Sequence, residues 1–340
     1  MAEAAIRAGC DAYFGYPITP QSELIEYMSF HMPDRGRVFL QGESEIAVVN
    51  MLYGAGGSGK RVMTSSSSVG IALMQEGLSY LAGAEVPCVI INCMRGGPGL
   101  GTIQPSQADY YQMTRGGASG DHHFIALAPG NIQEAVDMVQ EAFDIAMEYR
   151  NPVFVVVDGL IGQMMEPIEW HEIPRRELPD VDSWAANGSP THKHNVINSL
   201  WIDADQDEAF NHRLTQKTHL MQKNEVRYEK LECDDAEIVI VAYGTPARVS
   251  ISAVKELRVM GIKAGLFRPK TIWPYPYKAL REVVDQECVK KILCVELSEG
   301  QMIDDVEIAV GDSKPIEFYG HSGGVLFATD ELVDHVKGII

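Results

Sequence analysis

Wholly apolar runs separated by helical patterns are the feature that most constrains how this chain can fold. Residues 86–93, residues 124–128 and Pro152–Asp158 are too apolar to leave a face in water. Such runs predict strands of a parallel sheet that is covered by helices on both sides. Such sheets bind ligands at the carboxyl ends of their strands, so the functional residues are expected directly after each strand.

A helix is predicted between the second and third of these runs. Apolar residues recur at helical spacing over residues 132–146, directly after Asn131. Asn131 followed three residues later by Glu134 indicates a capping-box start. Strand, helix and strand in this order indicate a βαβ unit and an α/β fold.

The length of 340 residues allows two hydrophobic cores, and changes in apolar periodicity and composition divide the chain into three segments. Residues 1–165 carry the pattern just described. Residues 166–233 show prolines, histidines and scattered charge without a sustained period, which predicts an irregular connection over the surface. Residues 234–340 return to alternating strand and helix patterns and predict a smaller α/β domain.

Composition excludes several classes of function. Lys and Arg number 28 against 47 Asp and Glu, and a net charge of -19 disfavours nucleic acid as a partner. The six cysteines contain no C-x-x-C pair, so no iron–sulfur cluster is expected on this chain. No stretch approaches the roughly 18 apolar residues that cross a bilayer, and no secretory signal is visible. We therefore expect no membrane association and a cytoplasmic location.

Two glycine-rich loops invite a functional interpretation. Residues 54–60 match G-x-G-x-x-G and part of a Walker A loop, but the predicted helix precedes the glycines and the predicted strand follows them. A phosphate site needs the opposite order, so a turn is the better prediction. Residues 95–101 do follow an apolar strand, and Arg95 offers a planar fork that suits a carboxylate. A surface turn with a solvated arginine explains this second loop equally well.

Three segments resemble the alpha-type subunit of 2-oxoacid:ferredoxin oxidoreductases, and the resemblance continues through two further strings into the second domain. The three are Gly15-Tyr16-Pro17-Ile18-Thr19-Pro20, Gln41-Gly42-Glu43-Ser44-Glu45-Ile46-Ala47 and Arg95-Gly96-Gly97-Pro98-Gly99. The further strings are residues 62–68 and 267–274. The resemblance implies a thiamine-diphosphate pyrimidine-binding domain followed by a transketolase-C-terminal-like domain. The chain begins inside what resembles the first helix of the family, so its start is expected to be truncated or misassigned.

The same resemblance implies an enzyme that is active only as a multi-subunit complex. It implies coenzyme A-dependent oxidative decarboxylation of a branched-chain 2-oxoacid such as 2-oxoisovalerate, with ferredoxin as electron acceptor. A beta-type subunit is expected to hold magnesium and the diphosphate, and gamma and ferredoxin-like delta subunits complete the complex with its iron–sulfur clusters. A 2-oxoglutarate enzyme is the alternative, with Arg115 for the distal carboxylate. A non-catalytic organising subunit is a further alternative.

Site residues follow from matching the family's motifs. Glu45 matches the carboxylate that binds the aminopyrimidine ring and helps activate the cofactor, although without the resemblance a solvated first-turn glutamate is the better interpretation. Because of its apolar neighbours Ile46, Val48 and Val49, Glu45 rather than Glu43 is expected to point inward. Thr19 and Arg95 match residues that face the substrate and its carboxylate, and Thr19 is also expected to cap a helix over residues 20–31. Thr64, Ser65 and Ser66 are expected beside the cofactor.

The histidines are not expected to bind metal. His122 and His123 precede a strand and have no Cys or acidic partner at metal spacing, so both are expected to be structural. Six others are expected at the surface, namely His31, His171, His192, His194, His212 and His219.

Overall fold

The structure is a computed structural model that describes residues 1–190 and 194–340. Its strands are β1 (Ala12–Gly15), β2 (Val38–Gln41), β3 (Val62–Ser66), β4 (Cys88–Met94), β5 (Ile125–Leu127), β6 (Pro152–Asp158), β7 (Tyr228–Leu231), β8 (Ile238–Val241), β9 (Ala264–Pro269), β10 (Thr271–Trp273), β11 (Lys291–Glu296) and β12 (Ile316–Gly320). Its helices are α1 (Ala2–Arg7), α2 (Ser22–Asp34), α3 (Glu45–Gly57), α4 (Ser68–Gly83), α5 (Tyr110–Thr114), α6 (Ile132–Tyr149), α7 (Gly159–Gln163), α8 (Ala204–Asn224), α9 (Gly244–Val259), α10 (Tyr277–Val284), α11 (Ile303–Val310) and α12 (Thr329–Ile339). Short 3-10 turns lie at Val181–Ser183 and Gly311–Ser313.

The first sheet has the strand order β10-β5-β6-β4-β3-β1-β2 in the described residues. Every residue of β4 and β6 is buried, because helices cover both faces of the sheet centre. The three apolar runs of the sequence form β4, β5 and β6, so the predicted α/β class is confirmed. Strand β10 was not predicted: it comes from the second half of the chain and pairs antiparallel with β5.

The second sheet has the order β12-β11-β8-β9-β7 within the described part of the chain. Its central strands are parallel, and only the edge strand β7 runs antiparallel, against β9. Helices α9 and α12 pack together and form one apolar core with β8, β9 and β11. The predicted return to alternating strands and helices after residue 234 is confirmed.

Two helix starts test the capping arguments. Asn131 caps α6 as expected, because its Oδ1 accepts the N–H of Glu134 at 2.8 Å. The Glu134 side chain does not complete the capping box with Asn131; its Oε2 accepts the N–H of Gly130 at 2.8 Å. The expectation that Thr19 caps α2 is wrong, because that helix begins at Ser22 after Gln21.

The segment expected to be irregular contains a long helix. Helix α8 is 21 residues long and buries only Phe210, Leu214 and Met221, so its apolar period is too sparse to stand out in the sequence. A partly buried ion pair attaches it to the turn after α4: Nζ of Lys217 donates to Oε1 of Glu85 at 3.1 Å. Strand β7 also lies in this segment. The division at residues 166 and 234 stays a prediction, and no described helix is long and apolar enough to cross a membrane.

Candidate active site

The strand ends that were expected to carry the site meet at one edge of the first sheet. Strands β1, β2, β3 and β4 are parallel, and the segments after them carry Thr19, Glu45, Ser67 and Arg95 respectively. The carboxyl edge of an open α/β sheet is where ligands bind. The fold therefore brings four separate stretches of sequence to one side of the molecule.

Glu45 is the first residue of α3, and its side chain points inward. Ser44 caps the helix by accepting the N–H of Ala47 at 3.3 Å. Only 5% of Glu45 is exposed, whereas Glu43 lies in solvent. Among the described residues none donates a hydrogen bond to the Glu45 carboxylate. The inward orientation expected for Glu45 is confirmed, and its acceptor oxygens are free for a ligand.

Serine hydroxyls surround the place that this carboxylate faces. A Cβ built on Gly70 would lie 2.1 Å from Oγ of Ser66 and 2.6 Å from Oε1 of Glu45, so the two oxygens face the same point. The hydroxyls of Ser66 and of its neighbour Ser67 are buried and have no hydrogen-bond partner in the described structure. Buried polar groups are normally paired, so this cluster suits a ligand that carries both donors and acceptors. Such a set fits an aminopyrimidine ring.

The other two residues expected beside a cofactor are engaged differently. The hydroxyl of Ser65 bonds to the Tyr13 hydroxyl at 2.6 Å and donates to Oε1 of Gln21 at 2.6 Å. Because side chains alternate along a strand, Ser65 faces away from Ser66, and Thr64 shares the face of Ser66. Thr64 is buried and makes only a long bond, 3.5 Å, to the carbonyl of Ser65. Thr64 and Ser66 thus remain available to a ligand, while Ser65 is held by the protein.

Arg95 follows β4 and has no carboxylate partner in the described part of the chain. Its Nη1 donates to the carbonyl of Thr19 at 2.9 Å, and its Nη2 reaches the carbonyl of Leu100 at 3.4 Å. The side chain is 8% exposed, and its Nε is buried without a partner. A guanidinium whose hydrogen bonds go only to carbonyls can still bind an anion directly, so Arg95 fits a substrate carboxylate. Thr19 is exposed beside it and contributes its backbone to holding the arginine.

Sequence reasoning missed a buried polar group behind Arg95. Oδ2 of Asp109 accepts the hydroxyl of Ser68 at 2.7 Å and Nδ2 of Asn92 at 2.9 Å. Burial raises the pKa of Asp109, and the two hydrogen bonds and the charge of Arg95 oppose that rise. Asn92 was the one available signal, because it is a polar residue inside the otherwise apolar strand β4. Asp109 lies in an irregular stretch that carried no signal at all.

The arginine considered for a distal carboxylate is already paired. Nη1 of Arg115 lies 2.9 Å from Oδ2 of Asp305, and this carboxylate also accepts the hydroxyl of Tyr110 at 2.6 Å. Asp305 belongs to α11, so the ion pair joins the two halves of the chain. Arg115 is therefore committed to the contact between the two sheets.

The glycine-rich loop at residues 54–60 has the order that the sequence indicated. Helix α3 ends at Gly57 and β3 begins at Val62, so no helix N-terminus follows the glycines.

A cavity of about 1040 Å³ opens near the amino ends of the strands and is lined in part by Arg61 and Arg176. Both arginines are neutralised, Arg61 by Asp144 and Arg176 by glutamates. Since this cavity lies at the amino edge of the sheet, away from Glu45, it is not the candidate site.

The histidines are placed largely as expected. His123 stacks on the ring of Trp273 with centroids 4.7 Å apart, and burial lowers the pKa of both His122 and His123. His31 is half-buried against Tyr27, whereas the exposed ones are His171, His194, His212 and His219. His192 lies outside the described residues. No group of three or more His, Cys, Asp or Glu side chains in residues 1–190 and 194–340 could hold a metal ion.

Two family models cover nearly the whole chain. Residues 3–233 match the model described as pyruvate flavodoxin/ferredoxin oxidoreductase, thiamine diphosphate-binding. Residues 236–332 match pyruvate:ferredoxin oxidoreductase core domain II. The first of these models contains every candidate site residue.

Curated relatives and solved structures agree with these models. The chain is 46% identical to ketoisovalerate oxidoreductase subunit VorB of Methanothermobacter thermautotrophicus, over 98% of this chain and 94% of the relative. It is 34% identical to 2-oxoglutarate synthase subunit KorA of Methanothermobacter marburgensis, over 99% and 96%.

Among solved structures, the 2-oxoglutarate:ferredoxin oxidoreductase of Magnetococcus marinus, with 2-oxoglutarate, coenzyme A and succinyl-CoA bound, matches with a TM-score of 0.88 at 26% identity. That match covers 99% of this chain and 63% of the solved one. A split-gene transketolase shares the fold, with a TM-score of 0.61 at 14% identity over 99% of this chain and 95% of its own. The chain belongs to the family of alpha-type subunits of 2-oxoacid:ferredoxin oxidoreductases.

Proposed function

We propose that this chain supplies the pyrimidine side of a thiamine-diphosphate site in a complex that oxidatively decarboxylates a branched-chain 2-oxoacid, such as 2-oxoisovalerate, to its acyl-coenzyme A. One observation carries the proposal. The buried, unpaired carboxylate of Glu45 lies beside unpaired hydroxyls at the same sheet edge as Arg95, which has no carboxylate partner in the described structure.

Glu45 would hold the cofactor's aminopyrimidine ring. Thiamine diphosphate, when bound, supplies the nucleophilic carbon for attack on a keto group. A carboxylate acceptor in a water-poor setting favours a protonated ring nitrogen, and this shifts the proton distribution on the ring. Ser66, and Thr64 on the same strand face, would bond to the ring's polar edge. Ser65 would support the strand through Tyr13 and Gln21 rather than touch the ring.

Arg95 would bind the carboxylate of the 2-oxoacid. Its position is fixed by the carbonyl of Thr19, so substrate binding requires no change in that contact. The exposed Thr19 side chain lies next to this guanidinium and would face the substrate. An arginine that is already oriented loses little conformational entropy when it binds a carboxylate.

A branched-chain acid is favoured over 2-oxoglutarate by two contacts in the structure and by the similarity to relatives. Arg115, the basic residue considered for a second carboxylate, is paired with Asp305. Leu100, whose carbonyl contacts Arg95, exposes its apolar side chain beside the site. The relative at 46% identity is a ketoisovalerate oxidoreductase subunit, while those named for 2-oxoglutarate stand at 34% and below.

The remaining parts of the site are proposed for partner subunits. The glycine loop at residues 54–60 has the wrong order for a phosphate, so a beta-type partner would hold the diphosphate and its magnesium ion. Gamma and ferredoxin-like delta subunits would carry the iron–sulfur clusters and pass electrons to ferredoxin.

The test is turnover by the assembled complex. The chain is co-expressed with its partner subunits, and the rates of 2-oxoisovalerate and 2-oxoglutarate oxidation are compared at saturating coenzyme A. A higher kcat/KM for 2-oxoisovalerate is expected, and the isolated chain should turn over neither acid. Preference for 2-oxoglutarate would overturn the substrate assignment, and activity of the isolated chain would overturn the shared site.

A further inference from the structure

The buried carboxylate of Asp109 lies between the two halves of the candidate site. It is 8% exposed and forms no ion pair with any described residue. Both of its hydrogen bonds go to one oxygen, Oδ2, which accepts from Ser68 and from Asn92. Its hydrogen bonds come only from neutral donors, and the charge of Arg95 favours its ionised form without a direct ion pair. Burying a carboxylate in such a setting has a desolvation cost, so its position calls for an explanation.

One branch of this network leads to Arg95. The Ser68 hydroxyl has a single proton, and the acidic acceptor at 2.7 Å takes it in preference to the Arg95 carbonyl at 3.2 Å. A lone pair of Ser68 is then left for the backbone N–H of Arg95, which donates to it at 3.0 Å. Asp109 thereby fixes the backbone from which the Arg95 side chain extends.

The other branch leads to the start of α4. Because Nδ2 of Asn92 donates to Asp109, its Oδ1 is oriented to accept the N–H of Ser68 at 3.2 Å. The first turn of α4 contains Ser68 and Gly70 and directly follows Ser67. Gly70 is the residue that leaves room for Glu45 and Ser66. The same carboxylate therefore holds the cofactor half and the substrate half in a common register.

Contacts with α11 and with the turn before it hold Asp109 in place. On one side, the carbonyl of Ala108 accepts Nε2 of Gln301 at 2.8 Å. On the other, the hydroxyl of Tyr110 donates to Oδ2 of Asp305 at 2.6 Å. The two residues next to Asp109 in sequence are thus each bonded to a side chain from the second half of the chain, Ala108 to Gln301 and Tyr110 to Asp305.

We propose that Asp109, which is held by contacts with α11 and with the turn before it, is a positioning residue for Arg95 and for the start of α4. This inference rests on the proposed role of Arg95 as the carboxylate-binding residue. It predicts that Asp109 acts on substrate binding through Arg95, so that a change at Asp109 has little further effect on the KM for the 2-oxoacid where Arg95 is absent.

A double-mutant cycle in the assembled complex tests this coupling. Arg95→Gln and Asp109→Ala should each raise the KM for the 2-oxoacid, by about tenfold or more. In the Arg95→Gln background, Asp109→Ala should change that KM by less than about twofold. Asp109→Asn should keep nearly the wild-type KM, because one amide oxygen in the place of Oδ2 can accept both hydrogen bonds.

The outcomes separate the inference from the proposed function. An unchanged KM in Arg95→Gln overturns the proposed role of Arg95 and this inference with it. A raised KM in Arg95→Gln with an unchanged KM in Asp109→Ala overturns the inference alone. Equal effects of Asp109→Ala with and without Arg95 would show a merely structural role and also overturn it.

A milder variant covers loss of folding. If Asp109→Ala does not assemble with its partners, Ser68→Ala replaces it in the same cycle. That change removes the hydroxyl link to Arg95 and leaves Asp109 bonded to Asn92. The same non-additive KM pattern is expected, and additive effects would again overturn the inference.

Discussion

Arg268 on β9 and Glu134 on α6 form a bidentate ion pair between the two halves of the chain, with Nη1 2.8 Å from Oε2 and Nη2 2.6 Å from Oε1. The contact leaves no room for a side chain on Gly130, where a Cβ would lie 2.0 Å from Nη1 of Arg268. Together with strand β10, which leaves the second half of the chain to join the first sheet, this pair holds the two halves in one arrangement.

Replacing Glu134 by Gln should lower the free energy of unfolding by about 2 kcal/mol, because Arg268 is left buried with weakened pairing. Urea unfolding of the purified chain at neutral pH measures the change. Glu282→Gln is the matched control, since Glu282 is mostly exposed and lies 3.8 Å from Lys230. That control should cost under about 0.5 kcal/mol. Equal effects of the two variants would contradict the importance of the buried pair.

The stabilisation from Glu134 should also depend on pH. Burial raises the pKa of this carboxyl. Hydrogen bonds and charge from Arg268 and Lys270 outweigh that effect and lower the pKa from an ordinary 4.5 to about 2. A pKa that is lower in the folded state gives stability that is complete above the unfolded value and lost on acidification. The difference between wild type and Glu134→Gln should therefore be full at pH 6 and shrink between about pH 4.5 and 2. A difference that grows on acidification would contradict this account.

Glu45→Gln should lower the kcat of the assembled complex by about 100-fold or more, because the neutral amide no longer favours the protonated ring. Glu43→Gln is the matched control: it makes the same change two residues earlier, at an exposed position. Steady-state turnover with 2-oxoisovalerate measures both. Full activity of Glu45→Gln would favour a subunit that only organises its partners.

Gly70→Ala should abolish most activity while the chain remains folded. The added methyl group would lie 2.1 Å from Oγ of Ser66 and 2.6 Å from Oε1 of Glu45 and must displace one of them. Gly54→Ala is the control, because that helical glycine has open space where a Cβ would stand. It should keep activity and add about 0.5 kcal/mol of stability through helix propensity. Turnover and thermal unfolding distinguish the two variants, and an active Gly70→Ala would mean that a ligand does not need this space.

Arg115→Gln should lower stability by about 1 kcal/mol without changing substrate preference. The change weakens the pair with Asp305, which keeps its bond from Tyr110. The ratio of kcat/KM for 2-oxoglutarate over 2-oxoisovalerate is the measurement. A selective loss of 2-oxoglutarate turnover would instead assign Arg115 to a distal carboxylate.

Local patterns in the sequence were enough for much of the fold. Apolar runs identified β4, β5 and β6, because a strand buried on both faces must be apolar throughout. Asn131 marked the start of α6. The burial of Glu45 followed from its apolar neighbours Val48 and Val49, and the order around residues 54–60 argued against a phosphate loop. Thr19 showed the limit of such rules, because the helix that it was expected to cap begins three residues later.

The sequence by itself determined the α/β class, the edge of the sheet that carries the candidate site and the residue types there. Only the tertiary structure decided that β10 joins the first sheet, that Ala204–Asn224 form a helix and that Arg95 donates a hydrogen bond to the carbonyl of Thr19. It also decided that Asp109 stands behind both halves of the site. The physical reason is that these contacts join residues far apart in sequence, whereas local propensity and periodicity report only on neighbours within a few turns.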